Sequence, residues 1–467
     1  MSHQDKRSTG KDVVNYRALK EAVNGILTQQ VFSQIRFRGG SLWQPITLAI
    51  AAVLWAWSDE STLVDRFGAA RKTVSCMSPG QPTPPGSYQA FMKILRKWSD
   101  PLIQEITNVL RNRMREDLSK VFLIAGFAVF GVDGSRFELA RTVANEQAYS
   151  PKPKSRCRRS KRDRKRRRRN QVTTKKVNSP QIWVTTMWHA GTGLPWDWRS
   201  GPSDSSERAH LLEMLSALPE NSLITADAGF VGYDYWREML LSDRHFVVRV
   251  GSNVRLLKKL GAYRESKGAV YLWPDRAAMK EQPPLILRLV VAQDGAKPVY
   301  LVTSVLSKRR LSNRQVIEVY RLRWGVELWY RGCKQTFERR KMRSHRADHA
   351  KIELDWSLLG LWTACFLGLC EQAQDNIPPK RLSVAGVLRA VRKPMRQYRS
   401  KPEPNEDLHT LLRHAITDNY QRNCKSSRDY PRKNHNKTSP PGKPTVKNAT
   451  KRQRAQAKLT QPVRLTA

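Results

Sequence analysis

The chain has little cysteine, and its few cysteines follow no recognisable spacing. None of the six belongs to a Cys-x-x-Cys pair. This scatter argues against a zinc ribbon and against a disulfide framework, and a reducing cytoplasm is the simplest setting for it. The six positions are Cys76, Cys157, Cys333, Cys365, Cys370 and Cys424.

The chain also lacks a long uninterrupted hydrophobic run. Its longest apolar stretches, 45–57 and 356–370, are shorter than the roughly 20 residues that span a bilayer. The opening residues, MSHQDKRSTGKD, contain no apolar region of the kind that a signal peptide needs. The sequence therefore predicts two buried helices, no membrane partner and a cytoplasmic protein.

Acidic residues are scarce relative to basic ones. The 467 residues include 40 Asp and Glu against 84 Lys and Arg, so the formal net charge is +44. A field of this size attracts polyanions and makes their binding salt-dependent. Nucleic acid is therefore the expected partner, and a hydrophobic content of 40% supports at least one globular unit.

Much of the positive charge lies in one segment, 151–178. It contains the run KPKSRCRRSKRDRKRRRRN, in which Asp163 is the only acid. Such a run cannot bury itself and is typical either of a solvated loop or of an arm that binds phosphate. In a chain this basic we favour the arm, with Arg166, Arg167 and Arg168 as DNA-binding residues.

Periodicity divides the chain into three parts. Residues 1–120 predict a helical N-terminal domain that binds DNA ends. Residues 121–375 show strands first and then alternating helices and strands, the order of an α/β domain with a mixed sheet. Within it, 251–305 contains short strand-like runs that predict a β-rich insertion. Residues 376–467 predict helices followed by a basic, disordered tail.

One N-terminal helix carries basic residues on its outer side. Ser87 is placed to begin a helix that turns Lys93 and Arg96 outward. Such a helix is typical of a plain amphipathic packing element, and one entering a DNA groove has the same pattern. A further helix is predicted to begin at Asp100, with Pro101 in its first position.

Two aspartates come where predicted strands stop. Asp133 follows the apolar run VFLIAGFAVFGV, and Asp133-Gly134 predicts a hairpin turn before a return strand. Asp227 follows SLITA, which predicts another strand. Either aspartate alone is equally typical of a turn or of the end of a strand.

A third acid lies on a predicted helix within 313–349. At 100° per residue, Tyr320, Arg323, Glu327 and Lys334 share one polar stripe. A carboxylate among cations suits a cleft that holds metal and phosphate together, although a solvated helix face with an ion pair gives the same pattern. The apolar stripe that would pack on the core comprises Leu322, Val326, Trp329, Cys333 and Phe337.

Strand ends on one edge of a sheet, with a helix across that edge, would bring Asp133, Asp227 and Glu327 together. Three nearby carboxylates resist ionising together unless a divalent cation lies between them. Hard oxygen ligands favour Mg²⁺ or Mn²⁺ over zinc, and two such ions are the usual arrangement for in-line phosphoryl displacement. The cluster therefore predicts two metal ions held by these three acids.

Other residues compete for these roles. Four acids in less distinctive contexts are alternatives to the three above: Asp197, Asp204, Glu207 and Asp234. His345 and His349 lie four apart on the predicted helix and would suit zinc, but no third ligand is evident.

The sequence resembles a known family at these residues. Tyr320-x2-Arg323-x3-Glu327-x6-Lys334 is similar to the Tyr-Arg-Glu-Lys signature of DDE transposases of the bacterial insertion-sequence 4 type. Asp227-x-Gly-Phe resembles the second-aspartate motif of that family, and Asp133-Gly-Ser resembles its first. The resemblance covers roughly 120–370.

The resemblance implies a ribonuclease-H-like catalytic core with a β-rich insertion between the second aspartate and the glutamate. It implies that Asp133, Asp227 and Glu327 hold the metals. It also implies that Tyr320, Arg323 and Lys334 contact the backbone phosphates near the cleaved end. The basic arm of 151–178 is a departure from a compact core of this type.

The family also implies the partners and a possible aromatic contact. Double-stranded DNA, as terminal repeats and target, would be the substrate, and pairing of two ends favours a homodimer. Some members flip a base onto a tryptophan, for which Trp236, Trp273 and Trp324 are candidates. Core or surface tryptophans would look the same in sequence.

These observations predict a metal-dependent DNA transposase that moves its own element by cut-and-paste strand transfer. Two alternatives remain open. One is a non-catalytic DNA-binding protein derived from a transposase, and the other is a nuclease with the same core that cuts without joining. The three acids favour an enzyme, because a binder has no physical use for convergent carboxylates beside phosphate.

Overall fold

The computed structural model of the protein describes most of the chain. The described residues are 10–37, 41, 43–78, 84, 86–151, 179–261, 268–294, 297–396, 407–418 and 442–460. Arg166, Arg167 and Arg168, with most of the predicted basic arm, lie outside these residues.

Fifteen α-helices are assigned within the described residues. They are α1 (Gly10–Asn24), α2 (Pro45–Trp57), α3 (Leu63–Met77), α4 (Tyr88–Glu116), α5 (Ser119–Phe122), α6 (Val143–Tyr149), α7 (Glu207–Met214), α8 (Tyr233–Leu241), α9 (Asp275–Met279), α10 (Asn313–Leu322), α11 (Gly325–Arg331), α12 (Ala347–Gln374), α13 (Val384–Arg396), α14 (Leu408–Arg413) and α15 (Lys451–Leu459).

Ten strands are assigned in the same part of the chain, and all of them join one sheet. They are β1 (Ala128–Glu138), β2 (Gln181–His189), β3 (Leu194–Gly201), β4 (Ser222–Ala226), β5 (His245–Val250), β6 (Arg255–Lys258), β7 (Ala269–Leu272), β8 (Leu285–Asp294), β9 (Lys297–Thr303) and β10 (Thr445–Asn448).

The sheet is mixed, as the strand and helix pattern predicts. Its order is β10-β6-β7-β8-β9-β5-β4-β1-β2-β3. Strands β1, β2 and β3 form an antiparallel meander, whereas β4 is parallel to both β1 and β5. Parallel neighbours need crossover connections, and helices α7 and α8 supply them. The chain is therefore an α/β protein with one large mixed sheet.

The predicted hairpin at Asp133-Gly134 is wrong. Strand β1 runs unbroken through both residues and pairs with β2 from Phe130 to Glu138. Contacts from other segments stabilise a continuous strand at these two residues. The Tyr330 hydroxyl donates to the Asp133 carbonyl at 3.1 Å, and the Trp183 side chain packs against Gly134. Asp133 therefore lies inside a strand.

Strands are present where the β-rich insertion is predicted, between 251 and 305. They do not form a separate small sheet. Strand β9 pairs antiparallel with β5, so β6 to β9 extend the main sheet from that edge. Backbone groups along the edge of β5 are satisfied in this way.

The N-terminal helices pack directly on the rest of the protein. Helix α12 lies against α2 and α4 within one continuous core. The Trp57 indole donates to the Gly360 carbonyl at 2.6 Å, and the Trp356 indole donates to the Ser99 hydroxyl at 2.9 Å. The N-terminal region and the sheet therefore share a hydrophobic core.

The prediction of a separate helix that begins at Asp100 is wrong. Helix α4 runs for 29 residues from Tyr88 with Pro101 inside it. The apolar stripe on both sides of the proline, including Leu95 and Leu102, is fully buried. This burial outweighs the one backbone hydrogen bond that proline removes.

The predicted disordered tail is wrong for residues 442–460. Strand β10 pairs in parallel with β6, and α15 follows it with a capping box at Thr450 and Gln453. The Gln456 amide donates to the Ala278 carbonyl at 2.9 Å. An unpaired edge of β6 accepts this strand despite its polar composition, because backbone pairing depends little on side chains.

Helix α12 is long and apolar enough by composition to cross a membrane. The apolar window that meets this criterion is 100% buried within the fold, as in the core helix of a globular protein. The helix predicted for 356–370 lies within it.

Candidate active site

Asp133 and Asp227 lie side by side on neighbouring parallel strands. The register of β1 and β4 pairs Ala128 with Ser222 and Gly131 with Thr225. Continued past the end of β4, the same register brings Asp227 level with Asp133. Because β1 is the longer strand, Asp227 stands at a strand end and Asp133 does not. The predicted pairing of these two acids is present although only one of them ends a strand.

The helix that carries Glu327 is not continuous. Between α10 and α11 the backbone tightens, with Arg323 and Trp324 donating to carbonyls only three residues earlier. Beyond α11 it widens into a π-helix over Gly332–Thr336. A tight turn and a wide turn rotate successive side chains in opposite senses relative to an α-helix. The polar stripe therefore survives although the regular helix predicted for it is wrong.

Arg323 connects two of the three acids. Its guanidinium nitrogens lie 3.6 Å from an Asp133 oxygen and 3.4 Å from a Glu327 oxygen. The exposed fractions of the three side chains are 15% for the arginine, 22% for the aspartate and 33% for the glutamate. In this partly desolvated setting, the pairing balances charge more effectively than a surface ion pair does.

The electrostatics of Asp133 reflect a crowded acid site. Burial raises the pKa of its carboxyl, while the Gly134 amide, donating at 2.9 Å, and Arg323 act to lower it. The charges of Asp227 and Glu327 raise it further. Asp227 and Glu327 therefore both lie within electrostatic range of Asp133.

A fourth acid, Glu207, belongs to the same site. It stands in the first turn of α7, and burial together with the charges of Asp133 and Asp227 raises the pKa of Glu207 to about 7. One of its carboxylate oxygens occupies space that a side chain at position 134 would need, so Gly134 makes room for it. In the sequence, Glu207 is an acid near a helix start with no distinguishing motif, so the pattern favours it less than Asp133, Asp227 or Glu327 as a site residue.

Of the predicted phosphate-contacting residues, Arg323 and Tyr320 adjoin the acids, and Lys334 contacts β1 two residues beyond Asp133. The Lys334 ammonium donates to the Ser135 hydroxyl at 2.5 Å and lies over the ring of Phe137. Burial lowers the pKa of this lysine. Tyr320 lies against Arg323, whose guanidinium carbon is 6.0 Å from its ring centre, and burial raises the pKa of the phenol.

The apolar stripe predicted for the helix that carries Glu327 is buried at four of its five positions. Val326, Trp329, Cys333 and Phe337 are buried. Leu322 is 36% exposed, because the tightened turn after it rotates it away from the core.

The donor chemistry of the acids fits Mg²⁺ or Mn²⁺, since all their ligand atoms are carboxylate oxygens. Among the described residues, however, no three acidic, His or Cys side chains are arranged closely enough to hold a metal ion. The Arg323 guanidinium supplies the positive charge between Asp133 and Glu327 instead. Convergence on a metal would require this arginine to withdraw.

Of the other acids considered, Asp197 has a clear structural role. It pairs with Arg111 at 3.2 Å and with Arg199 at 2.8 Å, on the far side of the meander. Asp204 and Asp234 are exposed. None of the three is paired with the acid site in the described part of the chain.

The proposed zinc pair is also corrected. His345 precedes α12 and only His349 lies on it, so the two do not share a helix face. Among the described residues, no His, Cys or acid completes a metal site with them.

The three candidate tryptophans differ in accessibility. Trp236 and Trp273 are buried at 0% and 4% exposure, with both indoles donating to backbone carbonyls. Trp324 is 51% exposed and lies three residues before Glu327. Of the three, only Trp324 is accessible to a base.

The comparisons with known proteins agree with this site. Residues 132–362 match the family model described as Transposase DDE domain. Over 169 residues the chain is 27% identical to the transposase InsG for insertion sequence element IS4 of Escherichia coli (strain K12). That alignment covers 34% of this chain and 37% of the relative, so it spans little more than a third of the relative's length.

A solved structure, the piggyBac transposase synaptic complex with hairpin DNA, resembles the chain weakly. The comparison covers 91% of each chain at 12% identity, with a TM-score of 0.40. A score this low does not establish a common fold.

The matched segment begins one residue before Asp133 and includes Asp227 and Glu327. Residues 132–362 therefore belong to the transposase DDE domain family. The resemblance to transposases of the insertion-sequence 4 type is confirmed.

Proposed function

We propose that the protein is a divalent-metal-dependent DNA transposase that cuts the ends of its own insertion sequence and joins them to target DNA. One observation carries the proposal: Asp227 and Glu327 both lie within electrostatic range of Asp133, and all three act on Arg323, inside the segment that matches the transposase domain. The substrates would be double-stranded terminal repeats and target DNA, and pairing of two ends favours a homodimer.

The core would be ribonuclease-H-like. Support comes from the sheet order β3-β2-β1-β4-β5, with an antiparallel meander followed by two parallel strands. The acids sit on β1, after β4 and on the helix that returns to these strands. The strands β6 to β9 would be the family's insertion, which here extends the sheet.

In this proposal Asp133, Asp227 and Glu327 hold two Mg²⁺ or Mn²⁺ ions. When bound, such ions activate the attacking oxygen and stabilise the leaving oxygen in phosphoryl transfer. Arg323, Lys334 and Tyr320 would hold the backbone phosphates beside the acids. Arg323 is suited to this because a guanidinium matches phosphate geometry as well as it matches carboxylate.

The basic arm would add affinity of a different kind. Arg166, Arg167 and Arg168 would contact phosphates without reading sequence. Replacing all three with Gln should weaken binding to every duplex and reduce its salt dependence. An unchanged affinity would remove them from the DNA-binding surface. The same preference for DNA would place the protein at the nucleoid, and the similarity to a bacterial insertion-sequence transposase would place it in a bacterial cytoplasm.

The test is cleavage of a labelled duplex that carries the terminal repeat bordering the gene, in Mg²⁺. Asp133→Asn, Asp227→Asn and Glu327→Gln should each bind the duplex and fail to cut it, because these changes keep side-chain shape and remove charge. Asp234→Asn, an exposed acid elsewhere, is the matched control and should cut normally.

A second assay separates the alternative functions. Pre-cleaved ends are incubated with a target plasmid: joined products support a transposase, whereas cutting without joining supports a nuclease. Tight binding of the cognate ends with no cutting by the wild type would favour a non-catalytic DNA-binding protein.

A further inference from the structure

A second positively charged feature lies apart from the acid site. A cleft of about 850 Å³ opens between the starts of α3 and α4 and the loop that leads into α12. The described residues that line it include four Lys or Arg and no Asp or Glu. The four are Lys93, Arg96, Arg343 and Arg346.

The loop that supplies half of these cations is held rigidly. The buried Glu353 carboxylate accepts the backbone amides of Arg343 at 3.0 Å and Ser344 at 2.9 Å. From the other side, Asn145 donates to the Ser344 carbonyl at 3.1 Å and Thr142 donates to the His345 carbonyl at 2.7 Å. With its backbone anchored in this way, the loop presents its side chains to the cleft at little ordering cost.

The cleft gathers positive potential from the backbone as well. Three long helices begin at it, α3 after Thr62, α4 after Ser87 and α12 after Arg346. Helix starts carry partial positive charge and unpaired amides. Two acids in the first turns of these helices moderate the field, Asp65 on α3 and Asp348 on α12. Asp348 pairs with Arg96 at 3.5 Å and with Arg346 at 3.3 Å. Arg343 and Lys93 are exposed.

A line of cations connects the cleft to the acid site along the second half of β1. Lys334 lies beside Ser135, and Arg340 pairs with Glu138 at 3.0 Å and is 74% exposed. The backbone of Met342 also donates to Glu138, so the loop runs alongside the strand end. From Asp133 to Glu138 the strand advances about 17 Å, the length of about five base-pair steps.

We propose that this cleft binds the sugar-phosphate backbone of the duplex whose cleaved phosphate lies at Asp133, Asp227 and Glu327. The inference rests on the proposed function and adds a second, distant contact to it. The phosphates bound in the cleft lie about five to ten steps from the cleaved one, because the line of cations spans about five steps and the cleft opens beyond its end. Their recognition is independent of sequence, since lysine and arginine contact phosphate and no base edge.

The test is phosphate ethylation interference on a labelled duplex that carries the terminal repeat bordering the gene. Wild type should show two groups of interfering phosphates, one at the cleaved position and one about five to ten steps away. The variant Lys93→Gln/Arg343→Gln should lose the second group only, and its salt slope should fall by about two.

The matched control is Lys451→Gln/Arg452→Gln, which removes the same charge from the exposed surface of α15. That helix follows β10, which is seven strands from β1, or about 34 Å across the sheet. The control should keep both groups. Retention of the second group by the cleft variant, or equal loss in the control, would overturn the inference.

Thermal unfolding of each variant checks its folding, and Lys93→Ala alone repeats the test if the double variant is unstable. Wild type that shows both groups but never cuts would refute the proposed function, while the cleft would stand as a second contact to the DNA backbone. Wild type that cuts and joins DNA but shows only the group at the cleaved position would support the proposed function and refute the cleft inference.

Discussion

The Arg323 guanidinium lies 3.6 Å from the Asp133 carboxylate and also reaches Glu327, so an arginine occupies the position between two acids where a metal ion is expected. Burial lowers the pKa of this arginine, but Tyr320 and the site's three acids outweigh burial and raise it. The side chain therefore stays charged, and we expect any metal ion bound by these acids to displace Arg323 from between them.

Arg323→Gln should destabilise the protein when a chelator is present. The acids lose their counter-charge, and we expect a loss of about 1–2 kcal/mol, limited by partial exposure. Mg²⁺ should restore most of it by taking over the same role. Urea unfolding with EDTA and with Mg²⁺ measures both effects. Arg331→Gln, an exposed position on α11, is the control, and an equal loss there would show that the effect is not specific to the site.

Glu207 predicts a pH dependence in the absence of metal. The pKa of Glu207 is about 7 in the folded protein, whereas the usual value for a glutamate is 4.5. Between these two pH values the folded state keeps the Glu207 proton and the unfolded state has lost it. Stability should therefore fall as pH rises from about 4.5 to about 7. Glu207→Gln should flatten this decline. Urea unfolding across the range, with chelator, measures it. If stability declines by the same amount in Glu207→Gln, titratable groups other than Glu207 cause the decline.

Lys334→Met should weaken DNA binding without destabilising the fold. Methionine keeps an unbranched apolar stem of similar length and removes the charge that lies over the Phe137 ring. The slope of log affinity against log salt should decrease by about one, with no change in base preference. Fluorescence anisotropy over a salt series measures the slope. Lys280→Met, exposed just after α9, should leave it unchanged. An unchanged slope for Lys334→Met would exclude a phosphate contact.

Trp324 and Trp236 should respond in opposite ways to truncation. Trp236→Ala removes a buried ring stacked on Phe246 and should cost about 3–5 kcal/mol of folding stability. Trp324→Ala should leave stability nearly unchanged, because the indole is 51% exposed. It should reduce cleavage of the element end if, as the proposed function suggests, this indole three residues before Glu327 stacks on a base. Unfolding and single-turnover cleavage are measured on both. Normal cleavage by Trp324→Ala would exclude the stacking role.

The sequence predicted which residues form the site better than it predicted how the backbone carries them. Asp227 and Glu327 are recognisable from a strand end and a polar stripe, and both lie near Asp133. The hairpin at Asp133 fails because an Asp-Gly pair is compatible with a strand when the flanking layers contact it, and those layers come from distant segments. The interrupted helix that carries Glu327 keeps its polar residues on one side, because the tight turn before α11 and the wide turn after it rotate the side chains in opposite senses.

The remaining features depend on contacts that no local pattern records. Glu207 approaches the acids only because Gly134 leaves space beside β1, a relation between residues far apart in sequence. The cleft likewise combines the start of α4 with a loop fixed by Glu353. Lys93 and Arg96 are recognisable as outward-facing in the sequence, but their neighbours in the fold are not.

The hydrogen bond from Trp57 to Gly360 also constrains how the protein is made. The two residues are 303 positions apart. At about 5–20 residues per second, α12 leaves the ribosome about 15–60 seconds after α2. During that interval the surface of α2 that packs on α12 has no native partner, although α3 and α4 already cover other parts of the helix. Chaperones and proteases compete for the uncovered surface while synthesis continues. A chain that stops before residue 347 keeps that surface uncovered, and quality control should remove it.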